Sequence, residues 1–160
     1  MPEFFTDTPL LTERFDAALR YATAHHAQQL RKGTPIPYAA HLLAVASLVL
    51  EMHGDEDEAI GARLHDVVED GGGPDALSYI ERQFGANVAD IVLSNSDSVT
   101  GDEPKAPWRE RKRAYFAAFS HKSPAALRVS LADMRRVVDA ITALAEERQG
   151  PDVRVPFERN

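Results

Sequence analysis

Four polar side chains that could bind a metal ion or move a proton are crowded into residues 64–70, LHDVVED. If this segment is helical, His65 lies one turn before Glu69 and Asp66 lies one turn before Asp70, so all four leave from one face. A surface helix gains little from like charges that repel each other, so a bound cation or a catalytic task would explain the cluster. A solvated acidic helix end is the alternative that this segment alone leaves open.

A metal site would need ligands from other helices, and two candidates stand in apolar surroundings. His41 lies between apolar neighbours, and Asp133 interrupts an apolar segment. Burial of an unpaired carboxylate is costly or forces it to protonate, so Asp133 is expected to have a partner. Either residue by itself also fits a satisfied core or an ordinary helix surface. Together with His65 and Asp66 they form a set of two imidazoles and two carboxylates, which suits Mn²⁺ or Fe²⁺.

The elements that must position these residues are helices almost throughout. Capping residues and prolines mark the helix starts, and glycines mark the ends. The predicted helices cover about residues 8–30, 38–52, 56–70, 75–84, 87–93, 108–120 and 124–149, the last with a possible break near Ser130. No alternating strand pattern or internal repeat is present. The sequence therefore predicts an all-α helical bundle in one domain over 1–160, with a core over about 8–149 and an irregular tail over 150–160.

Composition limits the classes of function. A chain of 160 residues is long enough for one domain with a hydrophobic core, and it has no cysteine for disulfides or thiolate ligands. Its net charge of −7 argues against a nucleic-acid partner. No membrane span or signal peptide is expected, which predicts a cytoplasmic protein. Positive charge gathers at Arg31-Lys32, at 109–113 and at Arg135-Arg136, as in a pocket for a small polyanion or on exposed helix faces.

Six short motifs in a fixed order resemble those of the HD phosphohydrolase superfamily, and most closely its alarmone (ppGpp) hydrolase branch with its small single-domain members. The motifs are AHHAQQLRK at 24–32, PYAAH at 37–41, LHDVVED at 64–70, FGANV at 84–88, WRERK at 108–112 and LAD at 131–133. A bare His-Asp pair carries no weight, whereas six ordered motifs are specific. The resemblance implies an HD-type helical domain that hydrolyses ppGpp or pppGpp to GDP or GTP and pyrophosphate.

The resemblance also implies roles for individual residues. Four of them would hold one divalent ion, usually Mn²⁺ in this branch, with Fe²⁺ or Mg²⁺ as alternatives: His41, His65, Asp66 and Asp133. Glu69 and Asp70 match the catalytic pair that positions and deprotonates the attacking water. Arg31 and Lys32 match residues that line the nucleotide site around guanine, which suits a planar guanidinium. Two further cations are expected to meet phosphate: Arg109 and Lys112.

The sequence departs from the family pattern after Asp133. The family usually continues Asp-Lys-Leu-(His or Tyr)-Asn, whereas this chain reads DMRRV over residues 133–137. Val137 cannot make the hydrogen bonds of the asparagine that helps to hold the nucleotide. Two alternatives therefore stay open: an HD phosphatase for another nucleotide or phosphorylated metabolite, and an inactive nucleotide-binding module. A binding module would not need Glu69 and Asp70, which counts against the second.

Overall fold

The computed structural model of this chain describes residues 10–97, Val99 and 106–149. Seven α-helices follow one another in the described residues: α1 (Glu13–His25), α2 (Ala39–Glu51), α3 (Glu56–Leu64), α4 (Gly73–Phe84), α5 (Ala86–Asn95), α6 (Trp108–Ala117) and α7 (Pro124–Gln149). Within these ranges there is no strand, only an isolated antiparallel bridge between Leu30 and Pro37. None of the described helices combines the length and the apolarity needed to cross a membrane. The predicted all-α architecture is confirmed, and the predicted tail over 150–160 lies outside the described residues.

Capping side chains explain where α1 and α3 begin. Thr12 caps α1 by accepting a hydrogen bond from the Arg14 amide at 3.3 Å. Asp55 and Glu58 form a reciprocal capping box at the start of α3, in which each side chain binds the other residue's amide. The predicted start at about residue 8 lies outside the described range, and α1 begins at Glu13 after its cap, Thr12.

The predicted end of the first helix is wrong. α1 ends at His25 rather than near Leu30, because the chain turns there into a tight loop that leads to α2. The amide of Tyr38 closes this loop by donating to the carbonyl of Gln29 at 2.8 Å. Gly33 adopts a φ of +76°, in the left-handed region that glycine tolerates best. The loop therefore belongs to the site, since it carries two of its predicted cations.

The predicted helical continuation through residues 64–70 is also wrong. α3 ends at Leu64, and a short π-helical turn (Val68–Gly72) connects it to α4. Asp70 has non-helical angles (φ −91°, ψ 45°), and Gly71 follows with a φ of +100°. Because the backbone leaves the helical region at Asp70, the side chain of Asp70 does not follow the helical face on which the pattern placed it.

The other boundaries agree with the prediction apart from small shifts. α4 begins at Gly73 rather than at Asp75, and α5 extends to Asn95. α6 ends at Ala117 and passes into a 3₁₀ turn instead of continuing as α-helix. The possible helix break that the sequence suggested near Ser130 is absent, because α7 is continuous through this residue.

α3 is the central helix of the fold, and all of residues 58–64 are buried. One hydrophobic cluster joins it to α1, α4 and α5, and a second joins it to α2, α5 and α7. Gly61 permits the close approach of α5, because a Cβ at this position would lie 2.5 Å from Ile91 Cγ2. The end of α3, where His65 follows, is therefore held from several sides.

Candidate metal centre and active-site cleft

Four side chains from three segments converge at the buried end of α3. His41 and His65 are only 3% and 2% exposed, while Asp66 and Asp133 are half-buried. His41 Nε2 lies 3.1 Å from Asp133 Oδ1, and His65 Nε2 lies 3.0 Å from Asp66 Oδ2. The two cross distances are 3.8 Å from His41 to Asp66 and 3.7 Å from His65 to Asp133. The structure thus brings the four predicted ligands together.

The orientation of His65 fits a metal ligand. Its Nδ1 lies 2.7 Å from the carbonyl oxygen of Ala62, so the Nδ1–H donates there and Nε2 faces the carboxylates. Among the described residues this buried Nε2 has no hydrogen-bond partner of acceptable geometry, although Asp66 is close. The candidate ligand atoms of His41, His65 and Asp133 all lie within 4.8 Å of one another. A divalent cation would satisfy the nitrogen and the carboxylates together, and this set of nitrogen and oxygen donors suits such an ion.

The electrostatics of the cluster also favour a bound cation. Burial lowers the pKa of His65, but the Asp66 and Asp133 carboxylates outweigh burial and raise this pKa well above its usual value. Burial raises the pKa of Asp133, but the two neighbouring imidazoles, His41 first and then His65, outweigh it and leave this pKa well below its usual range. The cluster therefore attracts positive charge, which either a proton or a metal ion supplies. We expect metal binding to release a proton, because His65 must be neutral to act as a ligand.

Tyr38 orients one of the carboxylates, a role that the sequence analysis did not assign to it. Its hydroxyl donates to Asp66 Oδ2 at 2.5 Å. Its ring contacts the rings of His26 and His41, with centroids 5.1 and 5.4 Å apart. Burial first, and then the charge of Asp66, raises the pKa of Tyr38, so the hydroxyl remains a donor. The signal in the sequence was the position of Tyr38 three residues before His41, where side chains share a helix face.

Glu69 is held in a charged network at the edge of the site. The amide of Asp97 donates to Glu69 Oε2 at 3.3 Å, and Arg111 Nη1 donates to Glu69 Oε1 at 3.4 Å. The Asp97 side chain is only 1% exposed, and it pairs with Arg111 and, at 2.7 Å, with Lys112. Lys112 was predicted from the sequence, whereas Asp97 and Arg111 were not, because only the packing of α6 beside the end of α5 brings them to Glu69.

The environment of Glu69 predicts how activity depends on pH. Burial raises the pKa of Glu69 to about 7, and the Asp97 carboxylate adds to the shift. If Glu69 is the general base that the family resemblance implies, it acts only when it is deprotonated, and kcat is expected to fall as the pH drops below about 7, by roughly tenfold per unit. The variant Asp97→Asn removes a neighbouring negative charge and leaves Arg111 in place. Its kcat-against-pH profile is expected to have a midpoint at lower pH than that of the wild type.

The control for this pH experiment is Asp90→Asn, which neutralises an exposed carboxylate on α5, the helix that precedes Asp97. This variant should keep the wild-type profile. An unshifted midpoint in a folded Asp97→Asn protein would contradict the assignment of the acidic limb to Glu69.

Asp70 lies apart from Glu69, contrary to the predicted shared helix face. It is exposed, and its Oδ2 accepts a hydrogen bond from Gln29 Nε2 at 2.8 Å. His25 Nε2 donates to the backbone carbonyl of Asp70 at 3.1 Å. Asp70 is therefore held by the end of α1 and the segment after it, whereas Glu69 is held by α6 and by Asp97, which follows α5.

A cleft with a volume of about 1190 Å³ lies above the cluster. His41, Asp66, Glu69 and Asp133 contribute to its polar part, and the loop with Arg31 and Lys32 also lines it. The rest of the lining is mostly apolar and comes mainly from α6 and α7: Trp108, Phe116, Val137, Val138 and Ile141. The cleft therefore places an apolar wall beside a charged end.

Of the two cations that were expected to meet phosphate, the structure brings one to the cleft. Lys112 lines it, whereas Arg109 is exposed and is not among the lining residues. In an α-helix, successive residues are rotated by roughly 100°. The face of α6 that carries Trp108, Lys112 and Phe116 meets the cleft, so Arg109 points elsewhere. The expectation that Arg109 contacts phosphate is therefore not supported by the geometry.

Comparison with known proteins decides the family. The sequence matches the HD domain family over residues 18–154, which is most of the chain. This chain belongs to the HD domain family. The resemblance of this HD domain to the alarmone hydrolases, which the six motifs indicated, is confirmed by its relatives.

The relatives of this HD domain include proteins named for alarmone hydrolysis. It is 37% identical over 131 residues to the guanosine-3′,5′-bis(diphosphate) 3′-pyrophosphohydrolase MESH1 of Xenopus tropicalis, covering 80% of this chain and 67% of that protein. It is 36% identical over 137 residues to a probable enzyme of the same name from Synechocystis, covering 82% of this chain. This chain spans only 17% of the Synechocystis protein, and 10% of a Haemophilus influenzae relative.

A solved structure supports the fold of this HD domain. It is described as a metazoan ortholog of SpoT that hydrolyzes ppGpp and plays a role in starvation responses. The two folds superpose with a TM-score of 0.73 at 29% sequence identity, and the match covers 86% of this chain and 74% of the other. The arrangement of helices described above is therefore that of an HD domain.

Proposed function

We propose that this HD domain is a metal-dependent phosphohydrolase that converts ppGpp or pppGpp to GDP or GTP and pyrophosphate. The observation that carries this proposal is the convergence of two buried imidazoles and two carboxylates at the charged end of the cleft. The relatives named as 3′-pyrophosphohydrolases support the substrate. The cleft, at about 1190 Å³, is large enough for a nucleotide, because small-molecule sites commonly have volumes of roughly 300–1,000 Å³.

Four residues are proposed to hold one divalent ion: His41, His65, Asp66 and Asp133. Mn²⁺ is the proposed ion, with Fe²⁺ or Mg²⁺ as alternatives that the same donors accept. When bound, such an ion lowers the pKa of a water molecule and stabilises negative charge on a phosphoryl oxygen. The hydroxyl of Tyr38 keeps one ligand carboxylate oriented, and the carbonyl of Ala62 keeps the His65 ring oriented.

Glu69 is proposed as the general base. It takes a proton from a water molecule whose oxygen forms a bond to the phosphorus attached to the ribose 3′ oxygen. The bond from that phosphorus to the 3′ oxygen breaks, the 3′ oxygen gains a proton, and pyrophosphate leaves. Asp70 is proposed to help position the reacting groups. Arg31, Lys32 and Lys112 are proposed to bind the nucleotide, since they bring positive charge to the cleft lining.

The decisive experiment is a hydrolysis screen of the purified chain with added Mn²⁺, Fe²⁺ or Mg²⁺. The substrates are ppGpp, pppGpp, deoxynucleoside triphosphates, nucleoside monophosphates and NADPH, and mass spectrometry identifies the products. We expect pyrophosphate and GDP from ppGpp with the wild type, none with Asp66→Ala, and normal release with Asp90→Ala, whose site is exposed on α5. Nucleotide binding without turnover under any metal would instead support the inactive binding module.

A second candidate function is favoured by Val137. This HD domain would then be a phosphatase for another nucleotide or phosphorylated metabolite. Val137 lies one helical turn after Asp133, lines the cleft and is 43% exposed. An isopropyl group offers a base no hydrogen bond, so this position does not select guanine by polar contact.

The variant Val137→Asn tests this position directly. If a base lies beside residue 137, an added amide is expected to lower KM for ppGpp by roughly two- to tenfold, the range of one hydrogen bond. The value of kcat should change little, and steady-state kinetics on ppGpp separates the two constants. Leu131→Asn is the matched control, because Leu131 is an exposed apolar residue of α7 that does not line the cleft. Equal kinetics for the wild type and both variants would place the base elsewhere.

A further inference from the structure

We propose that Gln29 is a positioning residue that fixes the Asp70 carboxylate for hydrolysis, and that the buried His26 ring fixes Gln29. This inference rests on the proposed function, in which Asp70 assists Glu69. It assigns a task to two side chains of the segment after α1 that lie outside the proposed ligand set.

The backbone around Asp70 creates the need for such a residue. Asp70 has non-helical angles, and Gly71 follows with a positive φ. The Asp70 side chain is also exposed, so burial does not hold it in place. The restraint comes instead from a residue 41 positions earlier: Gln29 Nε2 donates to Asp70 Oδ2 at 2.8 Å. His25 Nε2, at the end of α1, donates to the Asp70 carbonyl at 3.1 Å, so the end of α1 and the segment after it contact both the backbone and the side chain of Asp70.

The chemistry of the contact fixes which way the Gln29 amide points. An ionised carboxylate only accepts hydrogen bonds, so the NH₂ group of Gln29 must face Asp70. The oxygen Oε1 then faces His26 Nδ1 at 2.6 Å and needs a donor there. The His26 ring is 2% exposed, and burial lowers its pKa, which favours the neutral ring with one proton. That proton belongs on Nδ1, so the chain of donors runs from His26 through Gln29 to Asp70.

The backbone of Gln29 is held as firmly as its side chain. Its amide donates to the carbonyl of His26 at 3.0 Å, and its carbonyl accepts from the amide of Tyr38 at 2.8 Å. Tyr38 in turn donates to Asp66. The same loop therefore positions a proposed metal ligand and Asp70, which lies one turn further along the chain.

The variant Gln29→Met removes the amide and keeps a side chain of similar length. We expect kcat for pyrophosphate release to fall by about 10- to 100-fold, because small errors in placing catalytic groups cost rates of this order. KM for ppGpp, Mn²⁺ affinity and Tm should stay near their wild-type values. The matched control is Gln28→Met, since Gln28 is the neighbouring exposed residue of the same type. Gln29→Glu places an acceptor against the carboxylate, and we expect an equal or larger loss of kcat.

A double-mutant cycle separates positioning from a general structural role. If Gln29 acts through Asp70, then Gln29→Met should have no further effect on kcat in an Asp70→Asn background. The contact can also be tested without measuring catalysis, by NMR of the ¹⁵N-labelled side-chain amide of Gln29. We expect this signal to shift in the Asp70→Asn protein and not in the Asp90→Asn protein.

Two results would overturn the inference: wild-type kcat in Gln29→Met, or a full effect of Gln29→Met that persists when Asp70 is already replaced. Failure of the proposed function would appear differently, because the wild-type protein itself would release no pyrophosphate. An unshifted Gln29 amide signal in the Asp70→Asn protein would also contradict the contact on which the inference depends.

Discussion

Replacement of Asp66 by alanine is expected to abolish pyrophosphate release and to weaken Mn²⁺ binding by more than about 100-fold. Loss of a residue that merely orients a ligand typically costs roughly 10- to 100-fold in metal affinity, so loss of a proposed ligand should cost more. Asp66 Oδ2 faces His65 Nε2 at 3.0 Å and also accepts the Tyr38 hydroxyl. Its removal therefore takes away a proposed metal donor and leaves the hydroxyl of Tyr38 without its acceptor.

Isothermal titration calorimetry with Mn²⁺ measures the affinity, and circular dichroism checks that the variant is folded. Tyr38→Phe is an informative companion, because it removes only the hydroxyl that orients Asp66. We expect a smaller loss of affinity for this variant, within about 10- to 100-fold. Wild-type Mn²⁺ binding by a folded Asp66→Ala protein would refute the proposed ligand set.

Replacement of Glu69 by glutamine is expected to lower kcat by about 10²–10⁴-fold, the usual contribution of a general base. The change keeps the size of the side chain and leaves an oxygen that can accept from the Asp97 amide. Mn²⁺ affinity should stay close to the wild-type value, since Glu69 is not among the proposed ligands. The two variants are therefore expected to differ in metal binding. Asp66→Ala should lose both Mn²⁺ binding and activity, whereas Glu69→Gln should lose activity alone.

Single-turnover kinetics with saturating Mn²⁺ and ppGpp measures the chemical step of Glu69→Gln. Glu81→Gln is the matched control, because Glu81 is exposed on α4 and is not among the residues that line the cleft. A kcat within twofold of the wild type would assign the base to another residue, with Asp70 the next candidate. A large loss of Mn²⁺ binding would instead move Glu69 into the ligand set.

The sequence was sufficient to predict the helical fold and the residues that converge at its centre. His41, His65, Asp66 and Asp133 could be selected because imidazoles and carboxylates in apolar surroundings need partners. Their roles as ligands remain proposals, although the geometry places them together. Helix starts were also predictable where a capping side chain is local, as at Asp55.

The errors occur where local pattern and tertiary structure disagree. Residues 64–70 have the spacing of a helix, but Gly71 takes a positive φ, and the chain leaves the α-helix before reaching it. The partners of Glu69 and Asp70 come from distant segments, so no spacing in the sequence indicates them. Arg109 illustrates the same limit: a basic run does not say which of its members faces a cleft until the helix has neighbours.

The separation of the cleft into a charged end and an apolar wall has a consequence for how the protein can acquire new substrates by mutation. The groups proposed to break the bond follow α3 or sit early in α2 and on α7 at Asp133, while α6 and the later turns of α7 supply a wall of exposed apolar side chains. If the proposed function holds, substitutions on that wall are expected to change which molecule is accepted and to leave the proposed ligands and general base in place. Such a scaffold is readily diversified, in evolution or in the laboratory, by redesign of one surface at a time.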